Sequence, residues 1–140
     1  TKGPPMTVQL SHPDGLLQQS DYAPVATATG SRFLLLAGQA AATPAGEATA
    51  TDLAGQVHSA MQNVAIGVRG AGGDVTDIAR LTLYVVDLTS DMTAAVMEGL
   101  ARAQESDGFS APLPPITVIG VQGLWTSDFL VEIEATAVLN

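Results

Sequence analysis

Residues 112–138, PLPPITVIGVQGLWTSDFLVEIEATAV, decide the fold of this chain. The stretch predicts two β-strands over residues 116–122 and 129–138, joined by a short turn as a hairpin. The first strand has apolar side chains on both sides, as in a strand that is buried on both faces. The second alternates with period two, which places apolar residues on one face and polar residues on the other, namely Glu132, Glu134 and Thr136. The pattern therefore predicts a buried strand beside a strand that presents carboxylates, which is a reasonable place for a site.

Four more strands are predicted upstream of this stretch. Gly30-Ser31 lies between two of them and indicates a hairpin turn. The apolar runs are bounded by turn residues and have the lengths typical of strands; they cover residues 6–10, 25–30, 33–39 and 77–87.

Two helices separate the predicted strands, so the fold class is α+β. The first has its N-cap at Thr51 or Asp52 and ends at the glycine-rich residues 70–73, and the second covers about residues 90–104. Two helices can cover one face of a sheet, yet three of the strands are apolar on both faces. The second face therefore requires another copy of the chain, and we expect an oligomer.

Composition predicts one globular domain over residues 1–140, with residues 1–5 either a tag remnant or disordered. Apolar residues make up 46% of the chain, but no run reaches the roughly 20 residues of a membrane span. The N-terminal residues carry no secretion signal. A cytoplasmic protein without a membrane partner is expected.

The charge balance disfavours nucleic acid as a partner. The formal net charge is −9, which repels phosphate groups. Strand parity predicts that Arg32 and Arg80 are solvated. The basic residues are scattered along the sequence rather than clustered, at Lys2, Arg32, Arg69, Arg80 and Arg102.

Metal and cofactor sites have no support in the sequence. The chain has no cysteine, and its two histidines, His12 and His58, lie far apart without metal-ligand spacing. The glycines of residues 70–73 follow a helix and lack the Lys-Ser/Thr of a phosphate-binding loop. No metal and no cofactor are expected, and a Ser-His-Asp triad would need a fortuitous arrangement.

Two segments, PPITVIGVQGL and LVEIEATAV, resemble the C-terminal signature of the RidA (YjgF, endoribonuclease L-PSP-like) family. Tyr22 and the strand end Ala37-Gly38-Gln39 match the N-terminal half of the family pattern. The resemblance implies a chorismate-mutase-like fold with a mixed sheet of about six strands and two helices on one face. It also implies a homotrimer with three small-molecule clefts between neighbouring subunits. Proteins of the family hydrolyse imines and enamines, releasing ammonia and a keto acid.

The same resemblance assigns site residues. Glu132 matches the catalytic, water-positioning glutamate, while the family's carboxylate-binding arginine falls at Ile116 and its helix asparagine at Val96. An isoleucine offers neither charge nor hydrogen bond, so the chain resembles a divergent subgroup that lacks the arginine. Trp125 is expected either to rim the cleft or to pack at a surface seam. The expected substrate-binding positions are Tyr22, Ala37, Gly38, Val96, Ile116, Thr117, Val118 and Trp125.

Three functions stay open on the sequence alone. The first is a trimer whose cleft handles a small, mostly apolar imine, enamine or carbonyl compound with Glu132 as acid/base, distinct from a standard 2-imino acid deaminase. The second is a non-catalytic trimer that binds a small ligand or regulates, which Ile116 favours. The third and most distant is an endoribonuclease or translation inhibitor, which the negative charge disfavours.

Overall fold

The structure is a computed structural model that describes residues 6–140. The prediction for residues 1–5 falls outside the described residues. The described part has six strands and two α-helices in the predicted order. Their bounds are β1 Val8–Ser11, β2 Val25–Ala28, β3 Arg32–Gln39, α1 Leu53–Gly70, β4 Ile78–Val86, α2 Thr93–Asp107, β5 Ile116–Val121 and β6 Val131–Leu139.

Four of the strands form one mixed sheet in the order β3-β6-β4-β5, and β1 and β2 form an antiparallel pair. Within the four-stranded sheet, β4 and β5 are parallel, whereas β6 is antiparallel to both β3 and β4. The two helices pack against one face of the strands, which confirms the predicted fold class. We call the face without helices the open face.

Both predicted hairpins are wrong. β4 lies between β5 and β6, so the two strands of the C-terminal stretch do not pair with each other. Gly30-Ser31 does not join a paired hairpin either, because β2 pairs with β1 and β3 pairs with β6. The reason is the β4–α2–β5 connection, in which a helix carries the chain back to make a parallel pair. That crossover leaves β6 to enter the sheet on the other side of β4.

The core lies between the helices and the sheet, where the sequence patterns placed it. Asp52 caps α1 by accepting a hydrogen bond from the Gly55 backbone N–H at 3.2 Å. Alternate residues of β6 point into the core, as the period-two pattern predicted. The residues that form the centre of the core are fully buried, among them Val57, Met61, Val64, Leu81, Leu83, Val131 and Ile133.

Two strands depart from the predicted burial. β5 is an edge strand rather than a strand buried on both faces, and Val118 and Ile119 are 39% and 41% exposed. In β4, a register shift between Ile78 and Arg80 turns Ile78 into the core, whereas strict alternation with the buried Leu81 and Leu83 predicts the opposite face for it. On the open face, Phe33 and Leu35 of β3 are 80% and 78% exposed.

Within residues 6–140, neither α-helix combines the length and the apolar character needed to span a bilayer.

Candidate functional site

Glu132 lies on the open face of β6, directly beside Gly38 at the end of β3. The register between β3 and β6 shifts after Leu36, because β3 contains one extra residue at this point. Such a β-bulge bends the strand and changes the direction of its side chains. A Cβ atom at Gly38 would overlap Glu132 Oε1 and would lie only 2.7 Å from Glu132 Cγ and Cδ. The carboxylate therefore rests on the Gly38 backbone. We call Ala37, Gly38 and Glu132 the carboxylate site.

Tyr84 and Glu134 border the carboxylate site on the same face. Tyr84 of β4 pairs directly with Glu132, and its hydroxyl donates a 2.6 Å hydrogen bond to Glu134 Oε1. That hydrogen bond and the nearby charges of Glu134 and Glu132 raise the pKa of the Tyr84 phenol. Glu134 is thus committed to a partner, whereas Glu132 has no side-chain hydrogen bond among residues 6–140. Glu132 is the carboxylate left available to a ligand or to water.

A second depression runs between β5 and the first half of α2. It consists of two adjoining cavities of about 280 and about 330 Å³ that share Thr93, Met97 and Val118. We call it the β5–α2 groove. Its polar rim includes Asp21 and Thr93, and its apolar lining consists of Tyr22, Leu88, Val96, Met97, Leu100, Leu113, Ile116 and Val118. The structure thus brings together four of the predicted substrate-binding residues.

Within a single chain, Glu132 does not reach this groove. Ile116 and Val118 pair with Leu81 and Leu83, which point to the helices, whereas Glu132 pairs with Tyr84 on the open face. β4 lies between the two strands, so they are about 10 Å apart at the usual strand spacing, and the side chains point to opposite faces. Two separate partial sites result.

The remaining predicted site residues lie elsewhere. Thr117 is exposed on the open face, where Arg80 Nη2 approaches its Oγ1 at 3.4 Å. Trp125 is 93% exposed in the connection between β5 and β6 and lines neither partial site. Arg32 and Arg80 are both exposed in the single chain, and Arg32 donates to the Asn140 carbonyl.

His58, Ser106 and Asp107 form a hydrogen-bonded chain that resembles a nucleophilic triad in composition only. His58 Nε2 lies 2.8 Å from Ser106 Oγ, and Ser106 Oγ donates to Asp107 Oδ2 at 2.6 Å. A serine nucleophile must give its proton to the histidine, but here the serine proton faces the carboxylate. The cluster therefore links α1 to the end of α2. In residues 6–140 no group of three or more potential ligands could hold a metal ion.

Comparison with known proteins gives the family. The family model described as Endoribonuclease L-PSP matches residues 16–139. The chain belongs to this family, also called RidA or YjgF. No curated protein sequence matches the chain significantly.

Solved structures of Rid proteins share the fold. A Rid family protein of unknown function from Yersinia pestis, YyfB, is 29% identical with a TM-score of 0.85, and the match covers 96% of this chain and all of that one. The yjgF gene product of E. coli is 27% identical with a TM-score of 0.67, covering 94% of each chain. E. coli TdcF, solved with bound serine, is 28% identical with a TM-score of 0.66, covering 90% of this chain and 92% of that one.

Sequence reasoning missed one residue that shapes the site of this RidA-family chain. Gln56 of α1 is 1% exposed, and its amide donates to the carbonyls of Ala50 and Asp128 and accepts from the Leu130 N–H, at 3.1, 2.8 and 2.8 Å. It holds the entry to β6, and therefore Glu132, against α1. Its helical spacing from the buried residues Ala60 and Val64 was the available signal, because a buried amide requires hydrogen-bond partners.

Proposed function

We propose that the protein is a homotrimer whose clefts hydrolyse a small imine, enamine or related carbonyl compound. In each cleft, the carboxylate site of one subunit faces the β5–α2 groove of its neighbour. The observation that carries the proposal is the division of the site, since a single chain keeps Glu132 on one face of the sheet and the groove on the other. The exposed Phe33 and Leu35 on the open face support contact with further copies.

Glu132 acts as the acid/base group in this proposal. Its carboxylate accepts a proton from a water molecule while the water oxygen bonds to the C=N carbon, which gives a carbinolamine. Glu132 then gives that proton to the nitrogen, and the C–N bond breaks as the hydroxyl oxygen forms the C=O bond and releases its own proton to the departing ammonia, which leaves a carbonyl product. Glu132 suits this role because it is partly buried against Gly38 and its oxygens are not engaged by Tyr84, which bonds Glu134 instead.

The groove sets this chain apart from a standard 2-imino acid deaminase. Ile116 stands where the family's arginine anchor is expected, and Val96, 3% exposed, lies beneath the groove where the asparagine is expected. Neither side chain can bind a carboxylate. We assign the chain to a divergent subgroup of the family.

A non-catalytic ligand-binding or regulatory trimer is the second candidate, and the apolar lining of the groove favours it. The bound serine in TdcF is consistent with a small-molecule site in either case. A ribonuclease is disfavoured despite the family description. The net charge is −9, and the arginines of the described residues are dispersed over the surface at Arg32, Arg69, Arg80 and Arg102.

Ammonia release tests the proposal. Imines with and without a carboxylate are generated in situ by an amino-acid oxidase and an amine oxidase, and release is followed for the wild type and Glu132→Gln. We expect the wild type to accelerate release from at least one imine and Glu132→Gln to lose about 100-fold or more, the usual contribution of general acid–base catalysis.

Glu105→Gln is the matched control, since Glu105 is exposed on α2 and lines neither partial site. It should behave as the wild type does. Equal rates for the wild type and Glu132→Gln would remove Glu132 from the mechanism. Binding without acceleration would favour the ligand-binding candidate.

A further inference from the structure

We infer that the β5–α2 groove selects an aliphatic ligand that carries a cationic nitrogen and no carboxylate, such as a protonated alkylimine. The inference rests on the proposed function and names its substrate class. The groove is apolar along its length, and its two cavities of about 280 and about 330 Å³ lie at the small end of ligand pockets, roughly 300–1,000 Å³. A short alkyl chain matches this lining and size.

The charge at the rim of the groove favours one sign of ligand charge. Asp21 lines the groove beside Tyr22, and no side-chain hydrogen bond or salt bridge engages its carboxylate in residues 6–140. The adjoining depression shares Asp21 and Met97 with the groove and adds Glu98, which pairs with Arg102. A cation at this end is attracted by Asp21, whereas a carboxylate is repelled.

No arginine of residues 6–140 lines the groove. Arg32 donates to Asn140, Arg69 pairs with Asp74 3.1 Å away, and Arg80 lies on the open face beside Thr117. The opposite end of the groove adjoins the first turn of α2, whose N–H groups favour negative charge. Asp91 lies in the 3-10 turn that precedes α2, next to Ser90 of the groove, and accepts a hydrogen bond from the Thr89 hydroxyl. Within one chain, a ligand carboxylate therefore finds no cationic side chain at either end of the groove, and Asp21 repels it.

The reaction balances without a co-reactant other than water. A protonated alkylimine, R–CH=NH₂⁺, and water give the aldehyde R–CHO and NH₄⁺, with Glu132 of the neighbouring subunit moving the proton from water to nitrogen. Such imines arise when a primary amine is oxidised. The class of reaction that supplies this substrate is therefore amine oxidation, in contrast to amino-acid chemistry.

Binding of three probes with one alkyl chain tests the inference independently of catalysis. Hexylamine, hexanol and hexanoate are titrated by calorimetry into the wild type, Asp21→Asn, Asp21→Lys and the control Asp14→Asn, an exposed loop aspartate outside the groove. We expect the wild type to bind hexylamine about tenfold more tightly than hexanoate. Asp21→Asn should weaken hexylamine about two- to fivefold, as for an exposed ion pair, while hexanol changes less than twofold.

Asp21→Lys should reverse the preference in favour of hexanoate, and Val118→Trp, which fills the groove from a partly exposed position, should abolish binding of all three probes. Equal or tighter binding of hexanoate by the wild type would overturn the inference, as would absence of binding of all three. If the amine preference holds but no imine is hydrolysed, the proposed function fails and the groove assignment stands. If imines with a carboxylate are hydrolysed faster than alkylimines, the groove assignment fails and the proposed function stands.

Discussion

Gly38 leaves the space that Glu132 occupies. Any side chain at Gly38 would overlap the glutamate, because even a Cβ atom comes within 2.7 Å of its Cγ and Cδ. We expect Gly38→Ala to push Glu132 out of the carboxylate site and to reduce imine hydrolysis at least tenfold. Stability should fall by only about 1–3 kcal/mol, as for other overpacked sites.

Gly70→Ala is the matched control for that change. Gly70 ends α1, has open space around its Cα and lies outside both partial sites. Its replacement should leave the rate of ammonia release unchanged. A Gly38→Ala variant with full activity would show that the position of Glu132 does not matter.

Tyr84 offers a spectroscopic test of the residues around Glu132. The Glu134 hydrogen bond raises the pKa of the Tyr84 phenol above its ordinary value, because deprotonation would place a second negative charge beside the carboxylate. In Tyr22→Phe, Tyr84 is the remaining tyrosine, since the chain has two. Its ultraviolet titration should shift to lower pH when Glu134→Gln is added. An unchanged titration curve would contradict the Tyr84–Glu134 contact.

At the residue scale, the sequence predicted which way Glu132 points but not what it touches. Period-two alternation in β6 placed Glu132 and Glu134 on one face, and the structure confirms it. The difference between the two carboxylates depends on Tyr84, which bonds Glu134 from the neighbouring strand β4. Tyr84 lies 50 residues earlier in the sequence. Alternation carries no information about cross-strand register, so this division of roles could not be predicted.

Among the secondary-structure elements, the connection from β5 to β6 depends on α1. The Gln56 side chain forms three hydrogen bonds to this connection and to the chain before α1. We expect Gln56→Ala to lower the free energy of unfolding by about 2–3 kcal/mol, since it leaves a buried N–H and carbonyls unpaired. Denaturant midpoints measure the loss, and exchange of the Leu130 amide should accelerate.

Gln62→Ala tests whether the stability lost in Gln56→Ala comes from the hydrogen bonds of Gln56. Gln62 lies on the same helix, is partly exposed and makes no side-chain hydrogen bond in residues 6–140. The Gln62→Ala change should lower the free energy of unfolding by less than about 0.5 kcal/mol, as most surface changes do. Similar losses for the two variants would indicate a general effect of helix truncation.

Elements were predictable from the sequence, and their pairing was not. Hydrophobic period located all six strands and both helices within a few residues. The pattern of β5 and β6 suited a hairpin, but the same residues fit equally well on either side of β4. Only the crossover through α2 decides between these arrangements, and local periodicity does not encode it. The groove formed by β5 and α2 follows from that crossover.

For the whole molecule, the exposed open face predicts assembly. Phe33 and Leu35 lie there at 80% and 78% exposure. We expect Leu35→Asp to convert the proposed trimer into smaller species, because a charge would be buried without a partner. Light scattering coupled to size-exclusion chromatography measures the mass.

Ile66→Asp controls for the loss of an exposed apolar side chain. Ile66 is 69% exposed on α1, on the helical side of the molecule. The variant should keep the mass of the wild type. Identical masses for Leu35→Asp and the wild type would place the interface elsewhere. Strands that are apolar on both faces predict an oligomer, and this measurement tests that prediction.

The exposed edge of β5 also bears on how single chains behave in solution. Ile116–Val121 reads ITVIGV, an uncharged segment rich in β-branched residues whose outer backbone groups have no strand partner within residues 6–140. Segments of this kind template the addition of further chains and lead to aggregates. Pro114 and Pro115 precede it and limit the length of the exposed edge, since proline cannot donate a ladder hydrogen bond. Slow assembly would therefore favour aggregation of folded single chains, because their β5 edges stay exposed for longer.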